Sequence, residues 1–197
     1  MYDICATCNG SRVLTPCEAA SIRRIIYKPS NRALFDLMLY AGLRLVEVRQ
    51  LIENPDIFDE GRRLLVIKSG KAKARQKERN VILSDRGMEA VRVFLQSPKM
   101  PSSPSAWQTN LIRWSRAAGL SPLPGRSDSG GNEYGITVRT SRKSWESWLL
   151  TACPDQSVRI ALSQGHTEST ALCHYLNLSF TEEERIGIID EVTGWRP

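Results

Sequence analysis

Tyr40-Ala41-Gly42-Leu43-Arg44-Leu45-Val46-Glu47-Val48 is the stretch on which the reading of the fold turns. Ahead of it, Leu34, Leu37, Met38 and Ala41 fall on one stripe at helical spacing, which predicts a helix from about Asn31 to Tyr40. Gly42 is placed to end that helix. A short third helix, from about Val46 to Ile52, follows almost at once. Arg44 thus stands in a tight connection between two helices, with Glu47 close after it.

Working towards the N-terminus, Thr15-Pro16-Cys17-Glu18 reads as a capping box with proline at the first helical position, opening a helix to about Tyr27. Residues 1–13 read as a tail and 14–197 as one domain. Working the other way, Arg63 to Lys68 and Arg79 to Leu83 are strand-like, with Leu65, Ile67, Val81 and Leu83 facing inward. A helix is expected from Asp85 to Leu95, then a proline-bearing loop from Ser97 to Ser105. Ser105 and Gln108 make a further capping box for a helix to about Ala118. Leu120 to Tyr134, rich in Gly, Pro and Ser, reads as a mobile surface loop. Helices are then expected from about Val138 to Leu150, Gln156 to Ser163, Glu168 to His174 and Glu182 to Val192, the last capped by Thr181. The fold class is mostly α with one small antiparallel β-sheet.

The 197 residues carry 27 Lys plus Arg against 21 Asp plus Glu, a formal charge of +6, and 41% of them are hydrophobic. That is enough apolar material for a real core. No stretch has the length of a membrane span and the start lacks the layout of a secretory signal, so a soluble cytoplasmic, nucleoid-associated protein is the expectation. From Gly61 to Arg79 eight basic residues occur with Glu78 as the only acid. A run of charge between two strands makes a projecting basic hairpin, shaped to reach phosphates. Five scattered cysteines argue against a disulfide framework. Cys5-x-x-Cys8 could supply half of a zinc site, but the remaining ligands are not at sensible spacing, so no metal is expected.

In the helix opening at Thr137, Val138, Trp145, Trp148, Leu149 and Ala152 form an expected buried stripe, and Arg139 and Arg142 are spaced to share a face. The chain's two histidines, His166 and His174, follow, and Tyr175 stands nine residues after His166. The ordered series is Arg44 with Glu47, the basic hairpin, Arg139-x-x-Arg142, Gly165-His166 and Tyr175. It resembles the catalytic domain of the tyrosine recombinases, the phage-type integrases and related resolvases, from about Thr15 onward. Tyr40 to Val48 is similar to the family's first-arginine box. Gly70-Lys71 with Lys77-Glu78-Arg79-Asn80-Val81 is similar to its lysine-bearing hairpin, and Arg139 to Arg142 occupies its H-x-x-R box. The wording of Arg142-Lys143-Ser144-Trp145 and of His174 to Glu184 leans towards archaeal-type integrases.

The resemblance implies a double-stranded DNA attachment site as substrate and Tyr175 as nucleophile, forming a 3′-phosphotyrosine. Arg44 and Arg142 would clamp the phosphate, because guanidinium binds it bidentately and keeps its charge. His166 would bond the phosphate or assist proton transfer. Lys71, or Lys73 if the longer hairpin shifts the alignment, would protonate the leaving oxygen. Glu47 would orient Arg44. No cofactor is implied, since the covalent intermediate stores the bond energy for rejoining. Two departures stand out. Arg139 replaces the usual histidine or lysine and is no general base. The short N-terminus leaves no room for the family's usual DNA-clamping domain, which implies a minimal enzyme, an excised domain or a remnant. The chain would act as a homo-oligomer on DNA, or be a monomer in isolation, with its final helix docking on a neighbour or packing on its own domain. Alternatives are strand cleavage without exchange, as in type IB topoisomerases, a non-catalytic DNA-binding relative, or a basic RNA-binding protein.

Overall fold

The computed structural model describes residues 7, 8, 10–68, 78–126, 131–165 and 180–196. Five strands and eight helices occur among them. They are β1 (Thr7–Cys8), β2 (Ser11–Arg12), α1 (Pro16–Ile25), α2 (Pro29–Tyr40), α3 (Leu45–Glu53), β3 (Phe58–Asp59), β4 (Leu64–Lys68), β5 (Glu78–Ile82), α4 (Asp85–Gln96), α5 (Pro104–Ala117), α6 (Thr140–Ala152), α7 (Ser157–Gln164) and α8 (Glu182–Glu191). The fold is mostly helical with small antiparallel sheets, as the sequence implies. The principal sheet has the order β3-β4-β5, and β4 and β5 pair in the register Leu65↔Val81 and Ile67↔Arg79. Leu65, Ile67, Val81 and Leu83 are all buried, as the alternation requires.

The core is organised around α2 and α6. In α2 every residue from Ala33 to Tyr40 is buried, because α4 and α6 both pack on it. The single stripe read from the sequence therefore understates the burial; a helix hydrophobic on most sides belongs inside. α6 likewise buries ten residues, among them Trp145, Trp148 and Leu149. Tyr40, Trp145 and Trp148 meet edge to face, with ring centroids 6.1 and 6.4 Å apart.

Three expectations are corrected. The N-terminal tail does not extend to residue 13: β1 and β2 form a hairpin, and Cys8, Arg12, Val13 and Leu14 are buried. Leu14 donates its N–H to Ser144 Oγ (2.8 Å) and accepts from Trp148 Nε1 (2.8 Å), so α6 satisfies this segment's backbone. The α5 cap is Ser103, whose Oγ accepts from Ala106 N (3.0 Å) with Pro104 as first helical residue, rather than Ser105. Leu120 to Tyr134 is anchored where it is described: Leu123 and Tyr134 are buried, Leu123 N bonds Glu133 O (2.8 Å), and Glu133 pairs with Arg116 (3.0 Å). Apolar anchors spaced among the Gly and Pro residues hold it down.

α1 carries the expected Thr15 capping box and α8 the expected Thr181 one. One face of α8 packs on α6 and α1 of its own chain, with Ile188 buried, while Ile186 and Ile189 remain exposed. The helix expected over 168–174 lies outside the described residues. No helix among those described is long and apolar enough to cross a membrane.

Candidate active site

The Gly42–Arg44 turn begins the site. Gly42 is left-handed (φ 59°), and a Cβ there would lie 2.6 Å from Gln164 Oε1 and 2.9 Å from Trp145 Cδ1. Only glycine combines that backbone with so close an approach. Arg44 then occupies the N-cap position of α3. Glu47, at the third helical position, reaches back: Oε2 accepts from Arg44 N (2.7 Å) and Oε1 from Arg44 Nη1 (2.7 Å). This satisfies an orphan helix N–H and aims the guanidinium in one gesture. The Arg44 side chain keeps 43% of its surface exposed, and that of Glu47 only 7%.

Two further arginines converge on the same carboxylate. Arg79, on β5, donates from Nη2 to Glu47 Oε2 (2.8 Å) and from Nη1 to the carbonyl of Ser163 at the end of α7. Arg142, on α6 and 5% exposed, donates from Nη1 to Gly42 O (2.6 Å) and from Nη2 to Gln164 O, and its Nη1 lies 3.7 Å from Glu47 Oε2. Its side chain therefore ties the Arg44 turn to the last turn of α7. Gly165 ends that turn in the left-handed region (φ 66°). Glu146, one turn beyond Arg142, is also buried and interacts electrostatically with Arg79 and Arg142.

Among the described residues, three guanidiniums against two carboxylates leave a surplus positive charge in a largely dry site. Burial pushes the Glu47 carboxyl up, yet Arg79, Arg142 and Arg44 together outweigh it and hold it below its ordinary value. Burial, with repulsion from Arg79 and Arg44, lowers Arg142 to about 9, so it remains charged at neutral pH but under strain that an anion would relieve.

Of the residues picked out from sequence, Arg44, Glu47 and Arg142 come together. Arg139 does not join them: it stands exposed at the N-cap position of α6, while Arg142 points inward. Lys71, Lys73, His166 and Tyr175 lie outside the described residues, as does Cys5. By sequence, Arg79 has a place in the basic run, at the start of a strand and in the hairpin motif, but no role in the site. The signal that could have singled it out is its parity with Val81, which puts it on the inward face of β5.

No protein-family model matches the chain. No curated protein matches it either. Among solved structures, the integrase from mycobacterium phage Brujita superposes with a TM-score of 0.56 at 15% identity, over 94% of this chain and 59% of that one. The chain thus has an integrase-like fold and spans about three-fifths of that integrase's length. The archaeal lean of the sequence wording finds no support in this phage protein.

Proposed function

We propose that the chain is a tyrosine-type, site-specific DNA strand transferase whose phosphate-binding residues, Arg44 and Arg142, gather with Arg79 around Glu47. The observation that carries the reading is the convergence of three arginines on one buried carboxylate, with Arg44 at the exposed mouth. Surplus positive charge held in a dry, pre-aimed geometry suits the charge that gathers on a phosphodiester under attack. The integrase-like fold agrees with it. Tyr175, His166 and Lys71 enter through the order of motifs in the sequence. Tyr175 Oη attacks phosphorus as its proton passes to His166 or to water, the P–O5′ bond breaks, and the departing 5′-oxygen takes a proton from Lys71. Rejoining reverses these steps. Arg44 and Arg142 stabilise the phosphoryl oxygens, and His166 adds a further hydrogen bond. Arg139, exposed at a helix start, suits a contact with the DNA backbone rather than proton transfer. Double-stranded DNA is the substrate, bound by more than one copy of the chain.

The test uses a pool of nicked duplexes with a randomised core, from which protein–DNA adducts surviving denaturation are recovered. Enrichment of a defined sequence, joined through Tyr175 and lost in Tyr175→Phe, is the expected result. An adduct that persists in that variant, or salt-dependent binding with no adduct at all, refutes the assignment.

A further inference from the structure

Arg79 belongs by sequence to the basic run that faces phosphates, yet its side chain turns away from solvent and is buried alongside Glu47. Its two terminal nitrogens serve different partners. Nη2 holds Glu47 Oε2, the same oxygen that accepts from Arg44 N, and Nη1 holds the carbonyl of Ser163. Its stem crosses Gly165 so closely that a Cβ there would lie 2.9 Å from Arg79 Cδ. The neighbouring backbone is stitched the same way, with Ile82 N donating to Ser163 Oγ (3.2 Å). β5, the end of α7 and the start of α3 therefore meet on this one side chain.

We propose that Arg79 is a positioning residue for the phosphate clamp, fixing through Glu47 where the Arg44 guanidinium points. The inference rests on the strand-transfer reading above. Glu47 is shared between a long, half-exposed side chain and a buried one. The buried one, anchored at Ser163, sets the carboxylate's place, and Arg44 follows. A small misplacement of a group aimed at the reacting phosphate is enough to slow chemistry without weakening binding. Lysine cannot do the same work, because one ammonium lacks the forked reach to Glu47 and Ser163 together. A purely structural Arg79 predicts something else: lower stability, with the surviving folded protein reacting at the normal rate.

The experiment compares wild type, R79K, R79Q, R44A and the double variants R44A/R79K and R44A/R79Q on the nicked duplex recovered above. It measures thermal melting, DNA affinity, and single-turnover adduct formation at saturating DNA. R79Q leaves Glu47 still facing Arg44 and Arg142, so at least one variant retains a cooperative melt and serves for the comparison. That variant is expected to bind DNA as wild type does while forming adduct about 10-fold or more slowly. In the R44A background the same change is expected to add less than about twofold, because Arg44 is the residue through which Arg79 acts. A wild-type rate in the folded Arg79 variants overturns the positioning role and leaves the strand-transfer reading standing. So does a loss that multiplies undiminished onto R44A. Absence of any wild-type adduct overturns both.

Discussion

Glu47→Gln tests the electrostatic heart of the site. The substitution preserves shape and one acceptor oxygen but removes the negative charge that three guanidiniums share. Arg79 contributes most to the expected loss: it lies 2.8 Å away and both side chains are 7% exposed. Arg142 adds a buried charge at 3.7 Å without a hydrogen bond. Arg44, at 2.7 Å, counts for less because its 43% exposed side chain is screened by water. Removing one partner of a buried pair costs about 3–5 kcal/mol, and the retained amide oxygen places E47Q at the lower end, about 3 kcal/mol. For a chain of this size that lowers the melting midpoint by about 6–12 °C. Circular dichroism melts at pH 7 and low salt measure it. Added sulfate should recover part of the loss, since an anion among the guanidiniums replaces the missing charge. A midpoint within about 2 °C of wild type would refute the reasoning, because the arginines would then not be leaning on Glu47.

Glu47 also sets an acid limit. Its folded pKa lies below its unfolded value of about 4.3, so its stabilisation is present above that pH and is lost as pH falls through the depressed value. Acid titrations followed by fluorescence should therefore show E47Q losing less stability than wild type as pH falls below about 5. Gly42→Ala and Gly119→Ala place the same strain in different surroundings: both are left-handed, but nothing lies within 4 Å of a Cβ at Gly119. G119A should cost about 1–2 kcal/mol and G42A clearly more, as read from urea unfolding. Arg139→Ala should change stability by no more than about 0.5 kcal/mol while flattening the salt dependence of DNA binding by about one unit. Arg142→Lys, unable to reach both Gly42 and Gln164 carbonyls, should reduce adduct formation by about 100-fold or more.

What the sequence made legible was local. The Thr15 and Thr181 caps and the alternation of Leu65, Ile67 and Val81 depend on residues a few positions apart, and the structure has them. The tail and the 120–134 loop depart from the local reading where tertiary contacts override composition: Ser144 and Trp148 fix Leu14 from more than 100 positions away. The α5 cap differs for a local reason, since Pro104 takes the first helical position and leaves Ser103 as the cap. The site divides along the same line. Arg44 and Glu47 are one helical turn apart and were paired from sequence; Arg139 and Arg142 are equally close, yet only Arg142 meets that pair. Arg79 shows how the missing step can be supplied. A charged side chain at an inward strand position cannot be left bare, since an unpaired buried charge is far too costly, so it must meet an acid or backbone acceptors. Glu47, an acid in the first turn of a helix that follows an arginine turn, already has reason to face inward. Strand parity and charge balance are thus met together where β5 and α3 join through the Arg79–Glu47 pair. The same argument explains why the cluster carries surplus positive charge: each arginine is held by protein carbonyls or by Glu47, and among the described residues no second acid hydrogen-bonds Arg44, the one side chain of the three left open to solvent.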